Sequence, residues 1–205
     1  MNKWALLVRQ TVFAASLLCA QQAFALEVSG VKVDETVKVG NTELKLNGAG
    51  VRYKSLFKVY VAALYLQEPK TNVPDVLNAT GPRRLVLSML REVSSEAFGQ
   101  SFMDGLNKNS NKAEKSKIII QMQKFGEMFA SIPELKKGDV VAIEWQPNVG
   151  SVCTLNGKRV GEVFPDIAFF NALLKIWLGD SPADASLKRA MLGEKPDSGV
   201  RQREN

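Results

Sequence analysis

Arg52, Lys54, Lys58 and Tyr60, side chains able to form directed polar contacts, lie in the stretch NGAGVRYKSLFKVYVAALYL, residues 47–66, among small and branched apolar residues. Read as a strand, residues 55–66 place Phe57, Val59, Val61, Ala63 and Tyr65 on one face and Lys58, Tyr60, Ala62, Leu64 and Leu66 on the other. Every residue from Val59 to Leu66 is apolar or aromatic, the pattern of a strand covered on both sides. A tyrosine hydroxyl in such a place needs a partner. Arg52 can be that partner, or both can turn to a ligand, while Lys58 reaches the sheet rim and solvent. The chain has no histidine, which removes Ser-His-Asp and Cys-His arrangements, histidine zinc sites and the usual near-neutral base. The chemistry open to it belongs to Arg, Lys, Tyr, Ser, Thr, Asn and carboxylates, and neither a metal nor a cofactor is expected.

The elements that must hold these residues follow from local pattern. LEVSGVKVDETVKVG suggests two short strands, and NTELKLNGAGVRYK a third, whose Gly48 and Gly50 permit a bend or bulge before Arg52. Residues 69–82 form a connection with one helical turn at VPDVLN, and RRLVLSML alternates as a strand. Ser94 caps a helix with Phe98, Phe102 and Leu106 on one face. A second helix carries Ile118, Met122, Phe125 and Phe129 and stops before Pro133. Strands return after Gly138, with Asn156 and Gly157 forming a two-residue hairpin turn. The helix from Pro165 is apolar nearly all round, so it is expected to be covered on two sides. Gly179 ends it, Ser181 and Pro182 open a further helix, and Gly193 closes that one. Strands, two helices, a strand hairpin and two more helices argue for an α+β fold with helices on one face of an antiparallel sheet.

With 205 residues, 45% of them hydrophobic, one domain with a substantial core is expected. Residues 1–25 read as a secretory signal peptide: Lys3 and Arg9 precede an apolar run, and Ala23, Phe24 and Ala25 make a small-x-small cleavage site before Leu26. Gln21 and Gln22 interrupt the run too early for a transmembrane anchor. The chain is therefore expected in the periplasm or outside the cell. The leader takes two of the 27 basic and none of the 21 acidic residues, leaving a net charge of +4. With its lysines scattered, the sequence shows no nucleic-acid surface. Cys19 leaves with the leader, so Cys153 stands alone and is expected to be buried in a strand. Residues 26–193 are expected to be the domain, and 194–205 a disordered tail.

LNGAGVR followed by FKVYVAALYL, the central helix pair, the hairpin GDVVAIEWQPNVGSVCTLNGKRVG and the closing FFNALLKIWLGDSPADASLKRAMLG together resemble the chalcone isomerase-like family, in its bacterial secreted branch. The resemblance implies an open-faced β-sandwich, a large antiparallel sheet covered by helices, with a ligand cleft between them. Plant members close a flavanone ring with an arginine, a threonine and a tyrosine around the developing enolate. Arg52 matches the arginine. Tyr60 stands at the threonine position, Phe98 at the tyrosine position and Gly105 where an asparagine is found.

The arginine and tyrosine pair is instead similar to the non-enzymatic fatty-acid-binding members. A guanidinium fork pairs with a carboxylate through two parallel bonds and a phenol adds a third, while Phe98, Phe170 and their apolar neighbours would line the path of an acyl chain. The resemblance therefore implies a monomeric periplasmic protein that binds a small hydrophobic carboxylate such as a fatty acid through Arg52, Tyr60, Phe98 and Phe170. Two other readings stand beside it: an intramolecular lyase (isomerase) in which Arg52 stabilises an enolate, and a scaffold with a vestigial pocket.

Overall fold

The computed structural model describes residues 25–194. The leader therefore lies outside the described residues except for Ala25. Of the tail only Glu194 is described, and its N–H donates to the Arg189 carbonyl at 3.1 Å.

Gly30, at φ 79°, turns the chain between β1 (Ala25–Val28) and β2 (Val31–Asp34), which pair as a separate two-stranded hairpin. A third short strand, β3 (Thr36–Val39), follows at once, so the stretch expected to hold two strands holds three. Gly40, at φ 57°, then leads into β4 (Thr42–Lys54), which pairs with β5 (Phe57–Leu66). After the helical turn α1 (Val73–Leu77) come β6 (Arg83–Met89) and β7 (Val93–Ser94). Helices α2 (Ser95–Asn109) and α3 (Lys112–Ala130) form the central pair. Then β8 (Glu134–Leu135) pairs back onto β7, and β9 (Val140–Gln146), β10 (Gly150–Leu155) and β11 (Lys158–Phe164) meander to the last helices, α4 (Ile167–Leu178) and α5 (Ala185–Met191).

The main sheet has seven antiparallel strands in the order β11-β10-β9-β6-β5-β4-β3. Its two faces are covered differently. Tyr60, Ala62, Leu64 and Leu66 of β5, with Leu85, Leu87 and Met89 of β6, pack beneath the helices against Phe102, Phe125, Phe169 and Trp177. Val61, Ala63 and Tyr65 face the other way, into a smaller cluster with Val33, Val39 and Leu44. Strand β5 is thus covered on both sides, as its unbroken apolar run requires.

Helix ends follow side-chain chemistry. The Ser94 hydroxyl accepts from Ala97 N at 3.2 Å and opens α2. Asn111 and Glu114 form a reciprocal capping box on α3. Asn156 and Gly157, at φ 52° and 76°, make the tight hairpin turn between β10 and β11. Helix α5 begins later than Ser181 and Pro182 suggest, because the Asp184 carboxylate accepts from Ser186 N and Leu187 N and is the actual cap. Cys153 is buried in β10, and burial pushes its thiol up to about 12.

Candidate functional site

Arg52 on β4 and Tyr60 on β5 are directly opposed in the ladder, immediately before a register shift between Arg52 and Tyr53. Both line a cleft of about 420 Å³ between the sheet and the helices, open to solvent on one side. The hairpin contributes Phe57 and Val59 to its wall, the link after β6 contributes Arg91 and Glu92, and β7 contributes Val93. Ala97, Phe98, Ser101 and Phe102 come from α2, and Ile176 and Trp177 from α4.

The glycine-rich approach to Arg52 has a packing cause as well as a bulge. A Cβ on Gly48 would run into the Ala190 carbonyl oxygen, and one on Gly50 would sit 2.8 Å from the Ala190 Cβ. The glycines therefore let α5 lie directly on β4. Asp184 fastens the same junction, because the carboxylate that caps α5 also accepts from Tyr53 N at 3.0 Å. Burial pushes this carboxyl up, but bonds from the Ser186 hydroxyl and from the N–H groups of Tyr53, Leu187 and Ser186 outweigh it and hold the group below its ordinary range.

At the inner end of the cleft, Trp177 Nε1 donates to the Tyr60 hydroxyl at 2.9 Å. Trp177 is wholly buried and Tyr60 is 6% exposed, so this bond satisfies an indole donor that has no access to water. Burial raises the Tyr60 pKa, and the adjacent Arg52 guanidinium and the Trp177 bond offset only part of that rise. The phenol is accordingly protonated at neutral pH. With its oxygen accepting from Trp177, its own proton can be donated. Arg52 is steadied by donation from Nη1 to the Tyr53 carbonyl at 2.8 Å, while its other N–H groups can address a ligand.

The remaining residues singled out in the sequence separate. Phe98 lines the cleft, and its ring packs 4.8 Å from Phe102. Phe170 is not among the residues lining it: the ring is 1% exposed and lies 5.1 Å from the Arg83 guanidinium carbon. Lys58 is exposed. Gly105 does not face the cleft either; a Cβ there would come within 2.7 Å of Ile176, so glycine is what lets α2 and α4 cross closely. Trp177, the partner of Tyr60, also lines the cleft and lies on the helix that is apolar nearly all round, where the sequence pattern does not separate cleft from core.

Residues 25–193 match the family model described as chalcone isomerase-like. The chain belongs to the chalcone isomerase-like family. No curated protein matches it in sequence. Among solved structures it is similar to a fatty-acid-binding protein of Arabidopsis thaliana, with a TM-score of 0.63 and 17% identity over 80% of this chain and 92% of that one. At that identity the likeness is one of fold: the chalcone isomerase-like sheet and its covering helices. Among the described residues no helix is long and apolar enough to cross a membrane.

Proposed function

We propose that this chalcone isomerase-like protein is an exported carrier or sensor of a small hydrophobic carboxylate, of which a medium-chain fatty acid is the model. The observation that carries the reading is a fixed cation, Arg52, beside a protonated phenol, Tyr60, at an apolar cleft. The guanidinium meets the carboxylate, the Tyr60 proton adds a bond, and the chain lies along Val59, Phe98, Phe102 and Ile176. About 420 Å³ falls in the lower part of the roughly 300–1,000 Å³ range of small-molecule sites, which suits a medium chain better than a long one. Each buried methylene contributes about 0.8 kcal/mol. That the Arabidopsis protein of the same fold is a fatty-acid-binding protein is in keeping with this reading.

An open cleft argues against a vestigial scaffold.

Calorimetry on delipidated protein tests the proposal. Arg52→Ala should weaken binding of a medium-chain fatty acid by on the order of 2 kcal/mol, the scale of a charge-assisted hydrogen bond. The methyl ester should bind wild type less well than the acid. Equal affinity for acid and ester would return Arg52 and Tyr60 to a structural role.

A further inference from the structure

The hairpin that carries Arg52 and Tyr60 ends in a feature that folding does not explain. Lys54 and Phe57 close the β4–β5 ladder, leaving Ser55 and Leu56 as a two-residue turn with Ser55 at φ 56°. Such turns are normally filled by Asn, Asp or Gly, which tolerate the backbone and favour water. Here Leu56 is 92% exposed, and Phe57 beside it is 62% exposed. Cations surround them: Lys54 and Lys58 flank the pair in sequence, and the Arg91 guanidinium carbon sits 5.0 Å from the Phe57 ring. Glu92 at the cleft rim is the opposing charge nearest in sequence to Arg91.

We infer that the tip of the β4–β5 hairpin docks the protein on an anionic phospholipid surface. A protruding leucine and phenylalanine enter the boundary between head groups and acyl chains, and long basic side chains around them stay at head-group level against negative phosphate. Charge complementarity favours this surface, and a bilayer accepts a leucine on a narrow tip without a pre-shaped pocket. Lys54 and Phe57 also line the cleft, so docking brings its mouth to the lipid. That last consequence rests on the carboxylate-binding reading, whereas the docking itself does not.

Leu56→Trp protein, its fluorescence read as the difference from wild type, tests the inference with phosphatidylcholine vesicles with and without phosphatidylglycerol, in the absence of fatty acid. A blue shift that needs phosphatidylglycerol and fades with added salt is expected. In sedimentation with the mixed vesicles, the double change Leu56→Ser and Phe57→Ser should lower the bound fraction by about ten-fold or more, given two apolar side chains withdrawn from lipid. The other exposed apolar pair, Ile119 and Ile120 on α3, is the internal rival, and Ile119→Ser with Ile120→Ser should leave sedimentation unchanged. No shift at position 56, equal shifts on both vesicles, loss of binding through the α3 pair, or a shift with protein concentration alone, which would mean a second copy covers the tip, each overturns the inference. Fatty-acid affinity in solution is a separate measurement, so either reading can fail without the other.

Discussion

The Tyr60 oxygen takes the Trp177 indole proton, and in the proposed function its own proton is given to the carboxylate in the cleft. Removing that oxygen has two separable effects. Tyr60→Phe should reduce fatty-acid affinity less than Arg52→Ala does, because it deletes one neutral donor and keeps the ring. It should also lower folding stability by about 1–3 kcal/mol, since the Trp177 N–H is left buried without an acceptor. Chemical denaturation of Tyr60→Phe, Trp177→Phe and the double variant would show it. The double variant should lose less than the two single losses added together, and strict additivity would mean that the bond contributes nothing. The sequence offered the Tyr60 half of this pair, because a phenol in an apolar strand demands a partner. It did not offer Trp177, which lies 117 residues away on a helix apolar nearly all round, where periodicity selects no single inward residue.

Asp184 acts at the scale of elements, tying the start of α5 to the end of β4 beside Arg52. Glu114 does the same between helices, accepting from Lys175 Nζ at 2.6 Å and so joining α3 to α4. The Lys175 bond is the chief reason the Glu114 carboxyl lies below its ordinary value of 4.5, as Asp184 lies below 3.8. Carboxyls lowered in the folded state stabilise it fully above those ordinary values and lose that contribution as pH falls through the lowered ones. The melting temperature of wild type should therefore decline as pH is taken below about 4.5, and Asp184→Ala should flatten part of the decline. At neutral pH the same change should cost about 1 kcal/mol for the lost cap. An unchanged pH profile in Asp184→Ala would remove this carboxylate from the account.

Elements were the most legible level of the sequence. Ser94 acts on an N–H three residues on and Asn156 and Gly157 through their own backbone angles, so their positions could be read directly. Asp184 was hidden because Ser181 and Pro182 offer a rival helix start just before it. The sequence does carry a signal for Arg83: alternation in RRLVLSML puts it on the inward side with Leu85, Leu87 and Met89. Its Nη1 donates to the Val76 and Leu77 carbonyls and to Asn171 Oδ1, and Phe170 covers it. That contact, and not the cleft, occupies the Phe170 ring.

For the whole molecule, the leader reading places cleavage between Ala25 and Leu26, within β1, whose Ala25 pairs with Asp34. Export with cleavage should yield a protein whose N-terminal sequence starts at Leu26, and a mature chain still starting at Met1 would contradict the proposed localisation. The main sheet is nearly a map of the chain, with β3 to β6 and β9 to β11 each joined in sequence order. The seam between them is the exception, where Arg83 opposes Trp145 and Leu85 opposes Ile143 across the excursion that holds α2 and α3. Each meander can zip up from its own turns, but the seam must wait until that long loop has closed, and loop closure is an entropic barrier that local pairing does not help to cross. The excursion whose first helix, α2, walls the cleft thus also sets the contact order of the fold, and refolding should be paced by the joining of two half-sheets.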